Sequence, residues 1–546
     1  MTAIWFALAY LWKPTLRPKL RVAATMHRLR QYSWPTGLLI LYYLWGLLTL
    51  DKLGVHYDEL TQRYIGIQTN KYLIGTASRA EIEEHKFFGP VFESFCYLSE
   101  QALGPGASMR SKLLLRRFWI WSLFVWALVA FYRIMLKRFD RSAAFWAVAL
   151  IALWPPLWAH AHVNSKDVVF LSLQVLAVSS LIRYREGSGS RTLHFWLFAL
   201  LSAWAASIRL VGVCLLGLAP LLLARAGSRE EGSSGQRASR RPALVLFGTS
   251  VLLLLLSFPV LWSTPWNRLG EMWSYATQNP WPNPSLFLGK QLYPESFTRW
   301  YLPVWMLFTL PLGLLLVAGW GAYLGIRSLL KSRKLSFSDA LFLGWFAVPF
   351  GLVLVLNPVL YNNWRHFYFL VIPMAYVAAY GIQEWNARLG SKKLNLLLGI
   401  YTLNLGLVAL MQPGLAALRM NDLYSKGVQV WVGESNPYMT QDYWGLCTQD
   451  ALSKLDEISQ QKQLKIACKT ELVELSSHLW PIERVVQMPV ERAQYYFDYN
   501  REGSWSWPEL GFKEKGMGLL LMEFYNGSES VLRVYDLEQK SEKIQL

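Results

Sequence analysis

Ionisable side chains occur at four places where long apolar stretches end, and their types suit proton transfer and phosphate binding. The first place is VHYDELTQRYIG, residues 55–66, which contains an adjacent acidic pair, Asp58 and Glu59. The others are HAHVNSKD at 160–167, Arg209, and NNWRHF at 362–367. A carboxylate can accept a proton from an attacking hydroxyl or amine, and fixed cations can hold a phosphate as it gains charge. Together they predict a site for group transfer from a phosphate-linked donor.

Individual residues can be assigned expected roles from this chemistry. Asp58 suits a general base, whereas Glu59 would point elsewhere on a helical turn. The cations available for a donor phosphate are Lys166, Arg209, Arg365 and His366. Further substrate contacts are expected from Glu59, Tyr64, His162, Asn164 and Asn363. Other roles remain open at this point, since Asp58 and Glu59 could cap a helix, and Lys166 and Arg365 could be anchors whose charges reach the membrane surface.

The elements that position these residues are predicted to be membrane helices. The chain has 546 residues, of which 53% are hydrophobic and only 16% charged, against about 25% charged in soluble domains. Apolar stretches recur along it, and about 20 such residues span a bilayer. The net charge of +18 lies mostly in short segments between these stretches, the pattern of cytoplasmic loops, so nucleic acid is not an expected partner. The fold class is a polytopic α-helical membrane protein.

Counting from a cytoplasmic N-terminus gives about eleven transmembrane helices and three regions. Residues 1–34 form a cytoplasmic or interfacial segment. Residues 35–412 form a transmembrane domain whose external loops are 51–117 (with interfacial helices), 160–167, 263–302 and 361–366. Residues 413–546 form a small extracytoplasmic α/β domain. The stretch 192–225 is too long for one span and is expected to turn near Arg209. One basic cluster, RSKLLLRR at 110–117, is placed on the extracytoplasmic side by this count. Its loop is long, and long loops are expected to follow the positive-inside rule less strictly.

Four sequence blocks resemble recurring blocks of a known superfamily. The blocks are HYDELTQRYIG with FFGPVFES, PPLWAHAHVNSKDVVF, YNNWRHFYFLVIPMAYVAAYGI and QDYWGLCTQDAL. They are similar to blocks of bacterial GT-C glycosyltransferases, which are relatives of protein O-mannosyltransferases and the lipid A aminoarabinose transferase. The resemblance implies a GT-C-like fold, a polyprenyl-phosphate sugar donor, and a protein, lipid or glycan acceptor. It implies Asp58 as catalytic base and Asp167 as a second catalytic residue. It also implies that the protein lies in the bacterial inner (plasma) membrane with its active site on the extracytoplasmic side.

Alternatives remain beside this interpretation. A transporter or flippase of a lipid-linked sugar would use the same cations without needing Asp58 as a base, and a membrane scaffold would need neither. No cofactor is certain; a divalent metal stays open, with His160 and His162 as weak candidate ligands. If the tail domain is external, Cys447 and Cys468 lie in an oxidising compartment and could pair.

Overall fold

The computed structural model describes residues 35, 37–229, 241–278, 285–288, 290–332, 335–361, 363–411, 448–459, 462–468, 485–487, 489, 492–499, 518–526 and 529–540. Some predictions concern parts of the chain outside the described residues, namely residues 1–34, most of the 226–242 loop, Asn362 and Cys447. The pairing of Cys447 with Cys468 therefore stays a prediction.

α-Helices form most of the described chain up to residue 411. In chain order they are α1 (Gly37–Leu48), α2 (Tyr57–Leu73), α3 (Arg79–Glu83), α4 (Val91–Gln101), α5 (Met109–Met135), α6 (Arg141–Ala152), α7 (Pro155–Val163), α8 (Asp167–Glu186), α9 (Arg191–Ile208), α10 (Val213–Arg229), α11 (Arg241–Leu256), α12 (Pro265–Gln278), α13 (Tyr301–Thr309), α14 (Leu312–Ser332), α15 (Phe337–Leu356), α16 (Val371–Leu389) and α17 (Ser391–Met411).

Five of these helices are long and apolar enough to cross a membrane, namely α5, α8, α14, α15 and α17. The bent pair α6–α7 would make a sixth if it forms one span, and α1, α11 and the segment Leu210–Ala224 are shorter apolar helices. The chain is an integral membrane protein by these criteria, and the count of eleven spans stays a prediction.

Two apolar stretches that we expected to be single spans are broken by proline. The stretch 142–159 divides into α6 and α7, whose axes differ by 64°, at Trp154 before Pro155. The stretch 303–326 divides into α13 and α14 at Leu310, whose backbone is extended (φ −68°, ψ 145°) before Pro311. Proline lacks an N–H donor and its ring excludes the preceding residue from the α conformation. Hydrophobicity alone therefore gave the wrong boundaries here.

The expected turn at Arg209 is confirmed. Helix α9 ends at Ile208, Arg209 is extended (φ −138°, ψ 121°), and a 3₁₀ turn, Leu210–Gly212, leads into α10. Gly89 fits against this corner, because a Cβ on it would lie 2.1 Å from the Ser207 carbonyl oxygen. The close approach brings the segment before α4 onto the end of α9.

Three arginines of the basic cluster at 110–117 form ion pairs. The cluster forms the first turns of α5, where Arg116 and Arg117 are buried. Arg116 binds Glu93 and lies 3.5 Å from Glu100, both on α4. The predicted surface helix at 85–103 is thus shorter than expected, and its acidic face packs on α5.

Strands occur in two places. A short antiparallel pair, β1 (Ser285–Phe287) and β2 (Lys290–Leu292), lies between α12 and α13. Near the C-terminus, helix α18 (Thr448–Ile458) accompanies a mixed sheet of order β4-β3-β5-β7-β6. These strands are β3 (Leu464–Cys468), β4 (Val485–Gln487), β5 (Tyr495–Tyr499), β6 (Gly518–Asn526) and β7 (Glu529–Lys540). Ala451, Leu452 and Leu455 of α18 pack on the sheet residues Leu464 and Ile466.

Candidate functional site

Asp58 lies in the first turn of α2, and a histidine cap fixes that turn. His56 precedes the helix, and its Nδ1 accepts a hydrogen bond from the Asp58 backbone N–H (3.0 Å), while its own N–H donates to Glu59 Oε2 (3.3 Å). This reciprocal pattern satisfies amide groups that a helix N-terminus otherwise leaves free. His56 Nε2 donates to the Val163 carbonyl (2.9 Å), since the other ring nitrogen is the acceptor. The cap therefore joins the start of α2 to the end of α7.

Glu59 is held by Arg117, a residue that sequence reasoning did not single out. Arg117 Nε and Nη2 donate to the two carboxylate oxygens at 2.8 Å each. The same guanidinium donates to the carbonyls of Leu50, Leu53 and Gly54 at 2.8–2.9 Å. Burial raises the pKa of the Glu59 carboxyl, but Arg117 outweighs it and holds that pKa below its usual range. Glu59 is thus a structural anchor; the misplaced basic cluster at 110–117 was the only signal for its partner.

Asn164 organises the second segment. Its Oδ1 accepts from the backbone N–H groups of Lys166 (3.1 Å) and Asp167 (2.8 Å), and its Nδ2 donates to Asp167 Oδ2 (2.8 Å). His160 Nδ1 lies 2.9 Å from the same Nδ2. Asparagine side chains commonly order a turn in this way. The arrangement starts α8 and sets the positions of Lys166 and Asp167.

The acids and cations from the four segments meet in one cluster. Lys166 Nζ lies 2.9 Å and Arg365 Nη1 3.5 Å from Asp58 Oδ2. Arg365 Nη1 also lies 3.2 Å from Asp167 Oδ2, and Arg209 donates to Asp167 Oδ1 through Nη2 (2.6 Å) and Nε (2.9 Å). We refer to Asp58, Lys166, Asp167, Arg209 and Arg365 as the charge cluster.

The charge cluster is positive and accessible at one carboxylate. Three cations face two carboxylates, which leaves one positive charge in excess. The Asp167 side chain is only 1% exposed, whereas that of Asp58 is 27% exposed. Burial raises the pKa of the Asp58 carboxyl, but Lys166 and Arg365 outweigh it and keep that pKa well below its usual range. His366 adjoins the cluster, and burial together with Arg209 and Arg365 lowers its pKa well below the usual value.

Several predicted contacts lie outside the charge cluster. Tyr64 donates to Glu84 Oε2 (3.4 Å). His162 has Nδ1 2.8 Å from the Trp158 carbonyl and Nε2 3.0 Å from Thr49 Oγ1. Asn363 has positive φ (69°), and its Nδ2 donates to Tyr368 within its own turn.

The histidine pair at 160 and 162 is not arranged as a metal site. His160 faces Asn164, whereas His162 faces the helix α1 end at Thr49. Among the described residues, no group of three His, Cys, Asp or Glu side chains is placed to hold a metal ion.

Comparisons with known proteins gave similarity only at the level of structure. No family model matches the chain, and no curated protein matches its sequence. The crystal structure of ArnT from Cupriavidus metallidurans in the apo state is similar, with 12% identity, 94% of this chain and 100% of that chain covered, and a TM-score of 0.45. ArnT bound to undecaprenyl phosphate gives 11% identity, 93% and 98% coverage, and 0.45.

A second similar structure is the Archaeoglobus fulgidus oligosaccharyltransferase in the apo form. Its identity is 14%, with 85% of this chain and 65% of that chain covered, and its TM-score is 0.45. At these identities and TM-scores no residue role or mechanism is carried over to this chain.

Proposed function

We propose that the chain is a membrane glycosyltransferase that moves a sugar from a polyprenyl-phosphate donor to an acceptor on the extracytoplasmic face. The observation that carries the proposal is the charge cluster, in which a partly exposed carboxylate lies against cations from separate segments. A site with one base and an excess of positive charge suits an attacking hydroxyl or amine and a phosphate leaving group. The sequence resemblance supplies the donor class.

Asp58 is the base in this proposal. The acceptor's nucleophilic atom attacks the anomeric carbon of the sugar as the bond from that carbon to the phosphate oxygen breaks. The acceptor's proton passes to Asp58, and the polyprenyl phosphate leaves with the bonding electrons. A single attack opposite the leaving group inverts the anomeric configuration, and no covalent intermediate is needed.

Lys166, Arg209 and Arg365 hold the phosphate. Arg365 and Arg209 can present planar forks to phosphate oxygens, and Asp167 orients both guanidinium groups from a buried position. His366 would add a donor beside them. Asp167 is then a positioning residue and not a second base, because both of its oxygens are already occupied.

The same cations also control the base. A carboxylate with a strongly lowered pKa is a weak proton acceptor. A phosphate that enters the charge cluster competes with Asp58 for Lys166 and Arg365, and its own negative charge raises the pKa of Asp58. Binding of the donor would therefore raise the basicity of Asp58, so that Asp58 is a stronger base when the donor is in place for attack by the acceptor.

The acceptor can be a protein, a lipid or a glycan, and the proposed location is the bacterial inner membrane. In this topology the donor stays in the bilayer while the acceptor approaches from the extracytoplasmic side. The C-terminal strands and α18 are assigned to that side as well.

Mass spectrometry of lipids that co-purify with the protein tests the proposal. The wild type should hold polyprenyl phosphate, the product, with some sugar-loaded donor. Asp58→Asn should shift the mixture toward sugar-loaded donor, because binding is kept and transfer is lost. A flippase would give the same mixture in both proteins. Absence of any polyprenyl-phosphate species from both would overturn the proposed function.

A further inference from the structure

Helix α12 is joined to the segment before α4 by a network of ion pairs. Arg268 Nη2 lies 2.7 Å from Glu83 Oε1 of α3, and its Nη1 lies 2.8 Å from Glu271 Oε2 one turn along α12. Lys86 Nζ lies 2.8 Å from the same Glu271 oxygen. Arg268 is 15% exposed, the least exposed member of this network. Arg268 and Lys86 together connect α12 to the 79–88 segment.

Aromatic contacts continue this connection toward the charge cluster. Tyr275 of α12 stacks on Phe87, with ring centroids 4.2 Å apart and planes at 16°, and meets Phe88 edge-on at 6.3 Å. The Lys166 ammonium lies 5.0 Å from the centre of the Phe88 ring. Tyr275 is thus separated from a cation of the cluster by one aromatic ring.

Two further contacts tie α12 to the segments that carry the arginines. The helix packs against Leu210–Gly212, the turn directly after Arg209. At its other end the Thr277 carbonyl accepts from the Val359 N–H (3.5 Å), six residues before Arg365. Helix α12 therefore contacts three of the segments that surround the charge cluster.

We propose that Tyr275 is a further residue of the site, donating its hydroxyl hydrogen to the phosphate of the donor, and that Arg268 positions it. The inference rests on the proposed function and names an additional phosphate contact from α12. The half-buried Tyr275 ring stacks on Phe87 and meets Phe88 edge-on, which restricts how the ring can move. Burial, with Tyr361 nearby, raises the pKa of Tyr275 to about 12, so the phenol remains a hydrogen-bond donor at physiological pH.

The test measures binding of undecaprenyl phosphate to the purified full-length chain. Tyr275→Phe keeps the ring stack and removes only the hydroxyl, so affinity should fall roughly 10-fold or more, as for other hydrogen bonds to charged groups. Arg268→Met should weaken binding by a smaller factor. Arg79→Met is the matched control, because Arg79 pairs with the same Glu83 (2.7 Å) but within α3. It should leave affinity unchanged.

A double variant separates positioning from general structure. If Arg268 acts through Tyr275, adding Arg268→Met to Tyr275→Phe should cause little further loss, since coupled residues are not additive. Full additivity, or an equal loss in Arg79→Met, would overturn the role of Arg268. Wild-type affinity in Tyr275→Phe would overturn the contact itself. Thermal unfolding of each variant shows that the chain remains folded.

The result also distinguishes this inference from the proposed function. If wild type binds undecaprenyl phosphate and Arg365→Ala loses it while Tyr275→Phe does not, only the inference fails. If wild type does not bind the lipid, the proposed function fails, and the inference fails with it.

Discussion

Asp58 and Glu59 are adjacent in the sequence, yet the fold gives them opposite surroundings. Glu59 is buried, and both of its oxygens accept 2.8 Å hydrogen bonds from one fully buried arginine. Asp58 keeps 27% of its side chain exposed, pairs with Lys166, and shares Arg365 with Asp167. Successive residues on an α-helix point about 100° apart, so one acid faces α5 and the other faces the charge cluster.

The difference separates a structural acid from a chemical one. A carboxylate whose hydrogen bonds are all satisfied inside the protein has no capacity left for a substrate. A carboxylate with shared cations and an exposed edge can exchange partners. The comparison predicts a rigid support at Glu59 and, under the proposed function, the base at Asp58, and each can be tested by itself.

The largest effect is expected at the chemical acid. Asp58→Asn keeps the shape and removes the basicity, so transfer should fall by roughly 10²- to 10⁴-fold, the usual contribution of general base catalysis. Initial rates of sugar transfer from a polyprenyl-phosphate donor measure this. Asp51→Asn is the control, because Asp51 pairs with the surface residue Arg110 and should leave the rate unchanged. A rate within about tenfold of wild type in Asp58→Asn would remove the base role.

Breaking the ion pair of the structural acid, Glu59, should lower the stability of the fold. Arg117→Met leaves Glu59 buried without its partner, and such a change typically costs about 3–5 kcal/mol. Thermal unfolding in detergent should show a large loss that the added Glu59→Gln change partly restores, since the buried charge is then removed. Arg110→Met breaks a pair whose arginine is 40% exposed and should cost less than about 1 kcal/mol. Equal losses in the two single variants would contradict the comparison.

Replacing Arg365 should have an intermediate effect on donor binding, because Arg365 belongs to the charge cluster around Asp58. Arg365→Ala should weaken donor binding by about 10- to 150-fold, the range for hydrogen bonds to charged groups of about 1.5–3 kcal/mol. Arg365→Lys should recover only part, since an ammonium lacks the planar fork. The alternative, an anchor at the membrane surface, requires equal donor affinity in wild type and both variants. Donor titrations of the three proteins decide between them.

The smallest effect is a pH dependence. Because the pKa of Asp58 is lowered in the folded protein, its ion pairs stabilise the fold above the unfolded pKa of about 3.9. That stabilisation is lost only as the pH falls through the folded pKa. The stability difference between wild type and Asp58→Asn should therefore be the same at pH 7 and pH 5. If Lys166 and Arg365 did not hold the carboxylate, burial would raise its pKa, and the stability of wild type relative to Asp58→Asn would instead rise between pH 7 and pH 5.

Much of the architecture could be predicted from local patterns. Apolar stretches anticipated the long apolar helices between residues 37 and 411 and the break at Arg209, and strand-like runs in the tail anticipated β3, β4, β6 and β7. The breaks at Trp154 and Leu310 were missed because hydropathy was weighed above proline. The role proposed for Tyr275 was not anticipated either, since an aromatic residue in a Trp- and Pro-rich loop has no signal that distinguishes a site contact from a membrane anchor.

The sequence by itself determined that this is a membrane protein and which ionisable residues end its apolar stretches, because hydrophobicity and composition are properties of short segments. It did not determine which acid would be satisfied and which would remain available. That depends on partners far away in the chain: Arg117 is 58 residues from Glu59, and Arg365 is 198 residues from Asp167. Only the packing of α5, α8 and the 361–370 segment against the start of α2 brings these charges within a few ångströms. At such distances their electrostatic energies become large enough to fix the role of each carboxylate.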